Sequence, residues 1–153
     1  MYPNVYSQIN IHLVFAVLYR ENVISDLFRL QLCKYIGGIL NKSDCYPLAI
    51  NAHNDHIHIF YEHKVSIAIS DLIKDIKSNS SKWINENHFV PGHFEWQRGA
   101  GVFSHSKSDR DKVIKYIINQ EEHHKSKSFK KEYLSILQKL DIKYSEDYLF
   151  QWY

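Results

Sequence analysis

The segment Asn54-Asp55-His56-Ile57-His58-Ile59-Phe60 alternates two histidines through a strand-like run, and a later helix-like run reads Tyr116-Ile117-Ile118-Asn119-Gln120. In an extended strand, side chains two apart share a face, so His56 and His58 converge about 7 Å apart. In a helix, side chains four apart share a face, which sets Tyr116 one turn before Gln120. Two imidazoles, an amide oxygen and a phenol can meet around one metal ion and one phosphate, a constellation suited to cutting a nucleic-acid strand. Each part alone is weak. His-x-His occurs in unrelated zinc enzymes. Tyr116 is one of 11 tyrosines and has Val113 and Ile117 beside it as an apolar stripe, so it also reads as the edge of a core. Gln120 alone reads as a surface amide. The combination is far more specific than its members.

The elements that would position these groups follow from periodicity. Ser7 to Leu18 alternates, with Ile9, Ile11, Leu13, Phe15 and Val17 on one side and Gln8, Asn10 and His12 on the other, which predicts a half-buried strand. Ile24 to Leu40 has helical spacing, with Ser25 as N-cap. Tyr46 to His53 and His56 to Tyr61 are two strands joined by tight-turn chemistry at Asn54-Asp55. Ser66 to Asn87 is a second helix. Pro91-Gly92 breaks the chain before a strand-like stretch from Phe94 to Phe103. Ser108 to His124 is a third helix capped by Ser108, and Phe129 to Leu140 a fourth.

Strand, helix, hairpin, helix, strand is the order of a ferredoxin-like α+β sandwich: one antiparallel sheet with helices on one face. A two-residue turn places His53 opposite His56 and Asn51 opposite His58. Leu48, Ile50, Ala52, Ile57, Ile59 and Tyr61 then form the core face. Gln8, Asn10, His12, Asn51, His53, His56 and His58 fall on an open polar face, which reads as a site or as a plain solvated sheet surface.

The 153 residues make one domain spanning 1–153, long enough to bury a real core. A composition of 44% hydrophobic and 24% charged residues is that of a soluble globular protein, and the net charge of +2 leaves any nucleic-acid binding to local patches. Cys33 and Cys45 form neither a disulfide framework nor a metal-ligand spacing, so the expected compartment is a reducing cytoplasm. No run is long enough to span a membrane.

Over nearly its whole length the chain resembles the single-tyrosine HUH transposases, the insertion-sequence-two-hundred-like family that mobilises single-stranded DNA. The resemblance lies in Tyr6-Ser7-Gln8-Ile9, His12 to Val17, Asp55-His56-Ile57-His58, Ile76-Lys77 and Ser80 to Ile84. It continues in Phe94-Glu95-Trp96-Gln97, Gly99, Gly101, Phe103-Ser104 and Tyr116-Ile117, and closes on Asn119 to His124. It implies that His56 and His58 are paired metal ligands, Gln120 the third, and Tyr116 the nucleophile. The implied cofactor is a divalent ion, magnesium or manganese, and imidazole ligands favour manganese. The phenol would attack phosphorus, leaving a 5′-phosphotyrosine and a free 3′-hydroxyl. A free tyrosine has a pKa of about 10, so activation by the ion or by Lys112 is expected. His12 and His53 are expected to orient the ligands.

The resemblance also implies a homodimer with composite active sites, a mobile C-terminal tyrosine helix hinged near Gly99 and Gly101, and hairpin-ended single-stranded DNA as substrate, handled at the bacterial nucleoid. Candidate DNA contacts are Lys74, Lys77, Lys82 and Trp83, then Arg98, Lys107 and Arg110, the basic run from Lys125 to Lys131, and Trp96 and Phe103 as stacking platforms. Other readings remain: a domesticated relative with the same chemistry in genome housekeeping, a non-catalytic nucleic-acid-binding module, and a zinc hydrolase built on His-x-His, which leaves Tyr116 without a role.

Overall fold

Alternating apolar residues build the sheet, and helix-spaced ones build the layers on it. In the computed structural model, which describes residues 4–119 and 127–153, the strands are β1 (Asn10–Ala16), β2 (Tyr46–Ala52), β3 (His56–Glu62) and β4 (Gly101–His105). Helix α1 (Arg29–Lys42) lies between β1 and β2, and α2 (Ile69–Glu86) between β3 and β4. Among the described residues, two further α-helices, α3 (Arg110–Ile118) and α4 (Phe129–Lys139), follow β4. All pairings are antiparallel and the spatial order is β2-β3-β1-β4, the predicted ferredoxin-like arrangement.

One face of the sheet forms the main core. Ile11, Leu13 and Phe15 of β1 and Ile57, Ile59 and Tyr61 of β3 are buried against Leu32, Ile36 and Leu40 of α1 and Leu72, Ile76 and Ile84 of α2. Each aliphatic side chain buried this way contributes about 1.5–3 kcal/mol of transfer free energy. The hairpin register is the one expected: Asn51 opposes His58, and the His53 N–H donates to the His56 carbonyl at 2.8 Å. Leu48 is a correction. A bulge between Pro47 and Ala49 inserts one extra residue, and Leu48 packs with Ala49 and Phe60 on the opposite side from Ile50.

The polar face is not open. It is covered by α3, through Val113 and Ile117 on Ala49 and Phe60, and by α4, through Phe129, Tyr133 and Leu137. All seven residues of β1 are consequently buried, including Asn10 and His12. Other expectations shift at their ends. Ser25 makes no side-chain cap, and its carbonyl instead accepts from the N–H groups of Phe28 and Arg29 in a turn ahead of α1. The last strand begins at Gly101, and Trp96 contributes only an isolated bridge to Val17.

Gly101, expected in a hinge, is a strand residue held by close packing. A Cβ there would stand 2.8 Å from both the Phe103 ring and the Tyr133 ring of α4. Gly99 is the glycine with an unusual backbone, at φ +85°. Gly101→Ala is expected to lower stability by about 1–3 kcal/mol through overpacking of these buried rings, read as a fall in the urea midpoint at unchanged slope.

Candidate active site

His56 and His58 come to the sheet face from alternate positions of β3, as strand periodicity requires, and α4 lies over them. Their side chains are 0% and 1% exposed. Each ring is held at Nδ1 by a neighbour. His56 Nδ1 pairs with Asp55 Oδ1 at 2.6 Å, and His58 Nδ1 with His12 Nε2 at 2.8 Å. This leaves both Nε2 atoms facing the same point, where the Glu132 carboxylate of α4 sits. Glu132 Oε1 is 3.0 Å from His58 Nε2 and 3.5 Å from His56 Nε2.

Tyr116 reaches the same carboxylate from α3, its hydroxyl donating to Glu132 Oε2 at 2.5 Å. Its ring stands edge-on to His58 at 6.0 Å between centroids. The end of α3 is pinned by Asn51, whose Nδ2 donates to the Ile117 carbonyl at 2.9 Å, satisfying a carbonyl in the last turn of the helix. Phe129 stacks face to face on His56 at 3.9 Å, so the first turn of α4 sits directly on the histidine pair.

The electrostatics follow from burial and neighbours. Burial opposes charging of His56, but the hydrogen bonds and charges of Asp55 and Glu132 outweigh it and raise its pKa above the ordinary histidine value. Burial, reinforced by the nearby His58 and His105, holds His12 well below that value, so His12 stays neutral and buttresses His58. His12 therefore stands where the sequence expected an orienting partner. His53 lies at the strand end beside His56, with 5.7 Å between ring centroids.

Tyr116, His56 and His58 are thus brought together within one chain. Gln120 lies outside the described residues, as do the residues following it through 126. Lys112 lines a cavity of about 350 Å³ beside Tyr116, together with His12, His105, Asp109 and Lys139. Among the candidate DNA contacts, Lys107 and Arg98 are exposed, and Arg110 lies 3.7 Å from Glu62. Lys82 is exposed, with Glu86 one turn on at 3.9 Å. Trp83 already stacks on Tyr35 at 4.7 Å. Lys77 points inward, donating to the Gln97 and Gly99 carbonyls at 2.8 and 2.6 Å, and burial lowers its pKa to about 8. Trp96 and Phe103 are buried rather than presented as platforms; Trp96 donates to Ser80 Oγ at 2.9 Å. Lys82 and Trp83 belong to α2, on the sheet face opposite Tyr116.

Glu132 is the site residue that sequence reasoning missed. A signal was present: it falls on the stripe formed by Phe129, Tyr133 and Leu137, where an acid among apolar residues marks a buried carboxylate with partners. His56, His58 and Glu132 each offer a donor atom within 4.8 Å of the others and could hold a metal ion. The donor set suits one, with two imidazoles fixed through their remote nitrogens and one carboxylate.

A histidine pair on a ferredoxin-like sheet, faced by a tyrosine on a following helix, is the layout of a DNA-processing enzyme of the transposase class. The family profile described as "Transposase IS200 like" matches residues 5–120, and the chain belongs to that family. Two solved structures share the fold. A transposase candidate from Deinococcus radiodurans R1 is 21% identical with a TM-score of 0.61, over 78% of this chain and 96% of that one. A REP-associated tyrosine transposase bound to a REP hairpin is 15% identical with a TM-score of 0.57, over 81% of this chain and 73% of that one. No curated protein matches the chain. Among the described residues, no helix is long and apolar enough to cross a membrane.

Proposed function

We propose that this chain cleaves and rejoins single-stranded DNA through a 5′-phosphotyrosine on Tyr116, with a divalent ion held by His56, His58 and Gln120, and that this chemistry moves an insertion sequence. The observation that carries the reading is the convergence of the Tyr116 hydroxyl and both histidine Nε2 atoms on one buried point. The Tyr116 oxygen attacks the scissile phosphorus, the bond from phosphorus to the 3′ oxygen breaks, and the departing 3′-hydroxyl takes up a proton. One phosphodiester replaces another, so the strand is rejoined by reversal at a new end without a nucleotide cofactor. The ion, manganese or magnesium, would polarise a non-bridging phosphate oxygen and offset the charge that builds in the transition state.

Asp55 and His12 hold the two rings in the tautomer that presents Nε2, and Asn51 fixes the helix that carries Tyr116. The cavity beside Tyr116, with Lys112 and Lys139 at its rim, supports a path for the phosphate backbone. Lys82, Trp83, Arg98, Lys107 and Arg110 are the proposed outer DNA contacts, with Lys77 supporting the 97–99 turn from within. The REP hairpin held by the second structural neighbour supports hairpin-ended DNA as substrate. The proposed assembly is a homodimer acting at the bacterial nucleoid, because exchanging four strand ends with one tyrosine per chain needs two sites. A mobile tyrosine helix belongs to the same proposal.

The test incubates the protein with single-stranded oligonucleotides spanning the DNA that flanks its gene, in manganese. A denaturing gel is expected to show a covalent protein–DNA adduct bearing the 3′ portion of the strand, together with a free 3′-hydroxyl fragment. DNA binding with no adduct would assign the chain to the non-catalytic binders.

A further inference from the structure

We propose that Glu132 is itself a ligand of the divalent ion, adding a carboxylate to the His56 and His58 donors, so that metal binding ties the C-terminal segment to the catalytic sheet. The inference rests on reading His56 and His58 as metal ligands. It goes beyond the family pattern, because the family match ends at residue 120 and α4 lies after it.

Three observations support it. The first is distance. Bonds of about 2.1 Å to a first-row or magnesium ion place neighbouring donors about 3 Å apart in an octahedral shell. Glu132 Oε1 stands 3.0 and 3.5 Å from the two Nε2 atoms. The second is burial and charge. Glu132 is 3% exposed, and a carboxylate so far from water requires a cationic or hydrogen-bonding environment. Asp55 and Glu132 set two carboxylates against the two imidazoles, and a divalent cation bound there would match their charge.

The third is anchorage. The stacking of Phe129 on His56, and the packing of Tyr133 against Phe129 and Phe150, hold the first turn of α4 in place, so the carboxylate is preorganised. The second carboxylate oxygen, Oε2, accepts from Tyr116, so one carboxylate links the ligand set to the proposed nucleophile. The two imidazoles favour manganese over magnesium, and the carboxylate suits either ion.

The experiment titrates Mn²⁺ into the full chain and follows the free-ion electron paramagnetic resonance signal, for wild type, Glu132→Gln and His58→Ala. Glu132→Gln is nearly isosteric and is expected to bind Mn²⁺ about tenfold or more weakly. Hydrogen exchange on wild type needs no variant: Mn²⁺ is expected to protect the amides of α4. Unchanged affinity in Glu132→Gln, or no added protection of α4 in wild type, overturns the inference while leaving the histidine site standing. Tighter binding in Glu132→Gln also overturns it, by showing that the carboxylate competes with the ion for the histidines. Unchanged affinity in His58→Ala puts the ion elsewhere, and the proposed function fails with the inference.

Discussion

Tyr116→Phe is expected to lose the covalent protein–DNA adduct entirely, a fall of about 10⁴-fold or more, while binding of hairpin DNA persists. The substitution removes one oxygen and keeps the ring, which packs on the Ala49, Phe60, Val113 and Ile117 cluster and stands edge-on to His58. The variant also loses the hydrogen bond to the buried Glu132 carboxylate, at a cost of about 1–3 kcal/mol in stability, so hairpin binding by the still-folded variant beside the lost adduct marks the effect as chemical. The choice of the half-buried Tyr116 over the buried tyrosines is geometric. Its hydroxyl lies against Glu132 at the point where the histidine Nε2 atoms meet. Burial pushes the Tyr133 hydroxyl up to about 12 and that of Tyr61 higher still, which makes both poor nucleophiles. Tyr61 is also on the opposite sheet face, paired with His63 Nδ1 at 2.9 Å. An adduct surviving in Tyr116→Phe would assign the chemistry to another tyrosine.

His58→Ala is expected to reduce cleavage by roughly 10³-fold, matching the loss on chelating the metal from wild type, since Lewis-acid stabilisation of the phosphate is worth several kcal/mol. His58 is the better probe of the pair because it joins two groups: His12 through Nδ1 and Glu132 through Nε2. Its removal takes away a proposed metal donor and releases His12. Assaying initial rates over a range of Mn²⁺ separates the outcomes. A variant whose rate climbs back with added Mn²⁺ has lost affinity, and one that stays flat has lost the orientation of the bound phosphate. Wild-type rates that ignore chelator would remove the ion from the mechanism.

The parts legible in the sequence are those governed by short-range periodicity. A period of two placed His56 and His58 on one face and set Asn51 opposite His58, and a period near 3.6 marked α2 and the helix carrying Tyr116. Beta-branched and aromatic alternation located β1, and with it His12 beside the histidine pair. Element ends were less legible, because a cap or bulge is decided by one or two hydrogen bonds. Leu48 shows this: one extra residue in β2 reverses its face, and no residue type in Tyr46 to Ala52 announces it.

What the sequence by itself determined, then, is the sheet, its helices, the family, and two imidazoles aimed the same way. The tertiary structure alone decided what those imidazoles face. Glu132 reaches His58 across 74 residues of chain, and Lys77 turns in toward the carbonyls of residues 97 and 99. Local pattern tells which side of an element is apolar, but not which distant element will cover it. That choice depends on the summed packing of Phe129, Tyr133, Leu137 and Phe150 over β1 and β3, a cooperative quantity that no single stretch of sequence contains.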